Sequence, residues 1–131
     1  MTGKDRILVA VDTPDLGRAR ELVQGLTGRV GGFKIGLEMF ISHGPAFVRE
    51  VLDGGGKVFL DLKLHDIPNT VAGAAGAAAR YGVSFLTVHA LGGPEMIRRG
   101  VAAAGAGGAV CSPQEVAGVR ERFPGGALVV P

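Results

Sequence analysis

Short apolar runs begin near residues 7, 32, 57, 83, 108 and 127 of this chain, and a stretch with helical spacing follows each of the first five. A strand followed by a helix every ~25 residues is the mark of parallel βαβ units. Parallel neighbours joined in sequence need a crossover of about a dozen residues or more, which is room for one helix. The runs are continuously hydrophobic rather than alternating, as expected of strands covered on both faces. The chain is thereby restricted to an α/β fold, either an α/β barrel or an open sheet. Its 131 residues read as a single domain, 1–131, large enough for a core but small for a closed barrel.

Ile7 to Val11 is the first strand and runs into Asp12. Thr13-Pro14-Asp15 then reads as an N-cap, a first-turn proline and an acid favoured by the helix dipole. Leu16, Ala19, Leu22, Val23 and Leu26 recur at helical spacing and give an amphipathic helix. Gly31-Gly32 breaks the chain before a second strand, Phe33 to Gly36, which carries Lys34. Short helical turns follow until Pro45 starts a helix through Val51 and Leu52, which Gly54 to Gly56 ends. After the third strand, Pro68 to Tyr81 is an alanine-rich helix closed by Gly82. Val83 to His89 is a fourth strand, and Gly92-Gly93-Pro94 launches a helix that ends near Gly105. Gly108 to Cys111 and Ala127 to Val130 read as two more strands around a helix from Pro113 to Phe123.

The 23 glycines are more than double the usual share of ~7%, which points to many tight turns. A net charge of +2, with basic residues scattered apart from Arg98-Arg99, implies neither a nucleic-acid partner nor an anionic membrane. No apolar run reaches the ~18 residues of a membrane span. MTGKDR is charged too early for a signal peptide. Cys111 stands alone, so the expected setting is the reducing cytosol, with Cys111 as a small buried hydrophobe.

The chemistry concentrates in KVFLDLKLHDIPNT, Lys57 to Thr70. Strand alternation puts Asp61, Lys63 and His65 on one face and Leu60, Leu62 and Leu64 on the other. With the leucines packed on helices, the acid and the lysine point into the fold. Asp66 follows at the strand's end, ahead of Pro68 in a helix's first turn. Two carboxylates keep the Lys63 ammonium protonated, while partial burial pushes the other way. A lysine held charged there suits a general acid that delivers a proton to a carbanion; the same spacing also suits a structural ion-pair cluster. Asp12 and Lys34 end the first and second strands, so charges from three strands fall at carboxyl ends, where α/β folds build their sites. That convergence favours catalysis. The three histidines have no metal-ligand spacing: His43 reads as a surface or turn residue, His65 and His89 as hydrogen-bonded rim residues.

ILVAVDTPD, GFKIGLEMF, KVFLDLKLHDIPNTV and FLTVHALGG resemble, in order, the first four strands of bacterial orotidine 5'-phosphate decarboxylases. The likeness covers residues 6 to 100, and DLKLHDIPNT is its most specific block. The Asp-x-Lys-x-x-Asp frame is shared with Mg²⁺-dependent sugar-phosphate decarboxylases and synthases, but Ile67-Pro68-Asn69-Thr70 favours the orotidylate enzymes. GAVCSPQEV and ALVVP resemble the family's sixth and seventh strands. The resemblance implies an incomplete TIM-type (β/α) barrel of about six of eight βα units. The family's fifth strand and a long helical segment have no counterpart between Ala104 and Gly108, and its eighth strand with a phosphate grip none after Pro131.

The resemblance also implies roles. Lys63 is the proton donor to C6 of the pyrimidine after carbon dioxide leaves, and Asp61 lies beside the substrate carboxylate. Lys34 bonds the ribose and holds the Asp61 and Lys63 network; Asp12 binds the nucleoside part and Ile67 lines the base pocket. Asp66 and Thr70 are contributed across a homodimer interface to the partner's site. The substrate is a small nucleotide, and no metal or cofactor is needed. Without the phosphate grip, turnover by these 131 residues is expected to be poor. The alternatives are an inactive fragment acting as an oligomerising module, or a member of the Mg²⁺-dependent branch.

Overall fold

The computed structural model describes residues 2–105, together with the backbone of 108–110 and 127–129. Its contacts divide the chain into two compact units. One holds the residues up to Asp61 with Tyr81–Phe85, the other Leu62–Arg80 with the residues from Leu86 on. The strands are β1 (Leu8–Ala10), β2 (Gly32–Gly36), β3 (Val58–Leu64) and β4 (Phe85–Val88), hydrogen-bonded in that order in one sheet. The helices are α1 (Leu16–Leu26), α2 (Leu37–Asp53), α3 (Pro68–Tyr81) and α4 (Pro94–Ala104). Four consecutive βα units are therefore present, as the repeat predicts.

In the first unit β1 pairs in parallel with β2, and β2 with β3, with Ala10 opposite Lys34 and Gly36 opposite Asp61. The middle strand is covered on both faces: Gly32, Phe33 and Ile35 are buried. The same cover was expected for β1 and is not found. Leu8 and Ala10 are exposed, because among the described residues β1 has a neighbour on one side only.

Helix α1 begins two residues later than the sequence suggests. Asp15, not Thr13, is the N-cap: its carboxylate accepts the Arg18 N–H at 2.8 Å. Thr13 instead accepts the Asp15 N–H at 3.2 Å, and Pro14 lies outside the helix. Both residues are good caps, and the one nearer the periodic apolar run prevails. Ala19 and Val23 form its buried stripe. Helix α2 is two helical pieces broken at Gly44, whose φ of 62° and ψ of −162° are essentially restricted to glycine. Pro45 opens the second piece, where its missing N–H costs nothing. Phe47, Val48 and Val51 of that piece are buried.

In the second unit Val71, Met96 and Ile97 form a buried cluster, with Leu64, Val88, Ala90 and Val101 packed against it. Helix α3 spans the residues the sequence assigns, bounded by Pro68 and by Gly82 at φ 86°. Gly93 caps α4 and Gly105, in the left-handed region, ends it. Strands β5 (Gly108–Val110) and β6 (Ala127–Val129) pair in parallel as a separate sheet. The expected helix from Pro113 to Phe123, and Cys111, lie outside the described residues. None of the described helices is long and apolar enough to cross a membrane.

Arg20 of α1 holds Glu50 of α2 through two bonds, Nε to Oε1 at 2.6 Å and Nη2 to Oε2 at 2.9 Å. The arginine's hydrogen bonds keep the Glu50 carboxyl below its ordinary range. A carboxyl with a depressed folded pKa contributes stability above its unfolded pKa and loses it as pH falls through the folded value. Glu50→Gln is expected to lower the melting temperature slightly at about pH 7, the pair being half exposed. As pH falls through the folded pKa of Glu50 the difference between variant and parent should shrink and vanish, which circular dichroism across a pH series can check.

Candidate active site

Parallel strands in register bring their carboxyl ends to the same side, and in the first unit this gathers three charges. The Val11 N–H donates to the Lys34 carbonyl at 2.9 Å, so β1 stays on β2 up to the residue before Asp12. Lys34 Nζ lies 3.5 Å from Asp12 Oδ1 and 3.7 Å from Asp61 Oδ2. The surroundings differ. Asp12 is 67% exposed, Lys34 27% and Asp61 13%. Water screens the Asp12 pair strongly, so its contribution is small. The Asp61 pair is screened less, since that carboxylate is largely withdrawn from water.

In the second unit Lys63 departs from regular strand geometry. Its φ is +48°, and it is the one described non-glycine residue with positive φ. Its N–H donates to Thr87 Oγ1 at 2.8 Å, and Thr87 is 5% exposed. The sequence reading has Lys63 partly buried on a regular alternating face; the side chain is exposed, and alternation stops at this residue because the backbone turns there. The left-handed region costs a lysine about 1–3 kcal/mol.

Asp66 is exposed, and its Oδ1 accepts the Ile67 N–H at 2.6 Å. Ile67 is 66% exposed and Thr70 lies exposed in the first turns of α3. Asn69 Oδ1 accepts from Arg99 at 3.2 Å, which joins α3 to α4. The His65 and His89 rings stack with centroids 4.9 Å apart, and His89 Nδ1 accepts the Leu91 N–H at 3.2 Å. His43 belongs to α2 rather than a turn, and its Nε2 donates to the Pro14 carbonyl at 2.7 Å. Among the described residues no group of three or more His, Cys, Asp or Glu is placed to hold a metal ion. Thr87 escaped the sequence reading. Its signal was there, a hydroxyl between Leu86 and Val88 in a run otherwise apolar.

Residues 5–130 match the model of the orotidine 5'-phosphate decarboxylase / HUMPS family. The chain belongs to that family. A protein named orotidine 5'-phosphate decarboxylase from Moorella thermoacetica is 55% identical over 103 residues, covering 79% of this chain and 41% of its own length. Another so named, from Anaeromyxobacter dehalogenans, is 41% identical over 175 residues, covering the whole chain and 77% of its own length. The chain thus spans well under half of the first relative. Against the second, 175 aligned positions meet 131 residues here, which leaves 44 without a counterpart. A crystal structure of orotidine 5'-phosphate decarboxylase from Lactobacillus acidophilus superposes with a TM-score of 0.71 at 36% identity, over 81% of this chain and 51% of that one. The fold class is accordingly the expected one, α/β and part of a TIM-type barrel.

Replacing Lys34 by methionine removes this cation from beside two carboxylates, of which Asp61 is the more buried. Lys34→Met is expected to destabilise the fold at neutral pH by about 1–3 kcal/mol. Adding Asp61→Asn should recover part of that loss. Urea unfolding of both variants beside the parent measures it.

Proposed function

We propose that this protein decarboxylates orotidine 5'-phosphate to uridine 5'-phosphate, acting as a carbon–carbon lyase, with Lys63 as the proton donor. The observation that carries the reading is Lys34 within ion-pair distance of both Asp12 and Asp61, in a family member with Lys63 two residues beyond Asp61. The bond from C6 of the pyrimidine to its carboxylate breaks, carbon dioxide leaves, and the electron pair remains on C6. The Lys63 ammonium then delivers a proton to C6. Asp61, beside the departing carboxylate, repels it, a form of ground-state destabilisation. Lys34 holds Asp61 in place and bonds the ribose; Asp12 bonds the nucleoside part; Ile67 offers an apolar wall to the base. The residues named need no metal or organic cofactor for these steps. The cytosol, where nucleotides are made, suits a chain with one cysteine.

We further propose a homodimer in which Asp66 and Thr70 of each subunit complete the partner's site. In support, Asp66, Ile67 and Thr70 are all exposed at the start of α3. The Asp61-x-Lys63-x-x-Asp66 frame, which also resembles that of the Mg²⁺-dependent sugar-phosphate enzymes, makes a metal-dependent sugar-phosphate reaction the competing reading. Activity toward a sugar phosphate, lost with a chelator, would favour it.

Loss of the orotidylate chromophore on mixing with protein tests the main reading. The parent is expected to turn over slowly but measurably, and Lys63→Ala to lose at least about a hundredfold in kcat, the usual scale for a positioned proton donor. No turnover by the parent would overturn it. Shared sites make a second prediction. Lys63→Ala and Asp66→Ala should each be inactive alone, yet mixed subunits should regain roughly a quarter of parental activity, since half the dimers are mixed and each then has one intact site. No recovery would show that Asp66 acts within its own subunit.

A further inference from the structure

The residue proposed to deliver the proton is also the described non-glycine residue with a left-handed backbone. Its amide is bonded to the one buried polar side chain among the described residues. In a parallel ladder an N–H ordinarily finds a backbone carbonyl of the next strand. Lys63 instead gives its N–H to the Thr87 hydroxyl at 2.8 Å. One residue later the two strands are bonded through their backbones again, with the His89 N–H donating to the Leu64 carbonyl at 2.9 Å. The hydroxyl thus stands in for a backbone acceptor at the single point where β3 leaves regular geometry. Lysine has no side-chain reason to adopt positive φ, unlike glycine or asparagine. Something outside the residue must hold it there, and strained positions of this kind persist only where their surroundings over-determine them.

We propose that Thr87 is a positioning residue for Lys63: its buried hydroxyl fixes the left-handed backbone at Lys63, and that backbone aims the ammonium at the carbon it protonates. A side chain leaves its α-carbon in a direction set by φ and ψ, so a lysine returned to extended geometry would rejoin the regular alternation of β3 and point in a different direction. The ammonium would then be misplaced by several ångströms, although its charge would be unchanged. The consequence falls on proton delivery rather than substrate binding. This inference rests on the decarboxylase reading for its kinetic part and on the hydrogen bond alone for its conformational part.

The test compares Thr87→Val, which keeps the shape and removes the acceptor, with Thr87→Ser, which keeps the acceptor. A strong intraresidue amide-to-α-proton cross-peak at Lys63 in the NMR spectrum reports positive φ. It is expected in the parent and in Thr87→Ser, and lost in Thr87→Val. For orotidine 5'-phosphate, Thr87→Val is expected to lower kcat on the order of a hundredfold. Its KM should stay within about threefold and Thr87→Ser should restore kcat, because the loss lies in the chemical step. A Thr87→Val protein that keeps the cross-peak, or keeps kcat after losing it, overturns the proposal. An inert parent overturns the decarboxylase reading, and the cross-peak comparison still decides whether Thr87 holds Lys63. Should Thr87→Val fail to fold, adding Lys63→Gly supplies a residue that accepts positive φ unaided. Recovery of the fold supports the proposal, and continued failure overturns it.

Discussion

One ammonium makes the carboxyl end of the first three strands possible. Parallel strands in register collect their last residues on one side, so Asp12 and Asp61 are brought together by the sheet itself. Two carboxylates flanking the same middle strand would repel, and one of them is largely withdrawn from water. Lys34 answers both, at 3.5 and 3.7 Å, from the strand between them. It can do so because β2 is the best covered strand of this unit, with Phe33 and Ile35 on either side of the lysine fully packed. A long flexible side chain loses entropy when it is pinned. Anchoring its backbone in the middle strand removes at least the backbone's share of that freedom.

The second unit achieves order by other means. Under the end of β3 lies an apolar cluster of Val71, Met96 and Ile97, and Leu64 packs on it from the strand. Several bonds around Lys63, Asp66 and His89 involve backbone amides: the Ile67 N–H donates to Asp66, the Leu91 N–H to His89, and the Lys63 N–H to Thr87. These bonds set local backbone shape. They leave the Lys63 side chain and Ile67 exposed, where a ligand or a second subunit can reach them.

Much of this was legible in the sequence because proline and glycine are local signals. Pro68 and Gly82 bracket α3, Gly93-Pro94 and Gly105 bracket α4, and Pro45 marks the restart of α2 after Gly44. The four βα units follow from spacing, and the gathering of Asp12, Lys34 and Asp61 from parallel register. What alternation could not supply was the backbone at Lys63, since its cause is a hydroxyl 24 residues away. The N-cap of α1 was misplaced for the opposite reason: Thr13 and Asp15 are both strong caps, and a two-residue choice between them is settled by where the apolar stripe begins. Exposure of β1 was invisible too, because a strand's own residues do not say how many neighbours it will have.

Lys63 and Thr87 differ in kind from those other misses. Natural sequences are locally consistent almost everywhere, and a residue whose own preference opposes the conformation it adopts is a conflict that selection had to tolerate. Here two conflicts meet in one bond: a lysine at positive φ, and a polar group buried in a strand of Leu86, Thr87 and Val88. Each alone would be destabilising. Together they cancel in part, because the buried hydroxyl gains a partner and the strained amide gains an acceptor. A fold seeking stability alone would use glycine at position 63 and valine at 87, and would need neither concession. Retaining the more costly pair makes sense where the direction of a charged side chain matters more than the stability it costs.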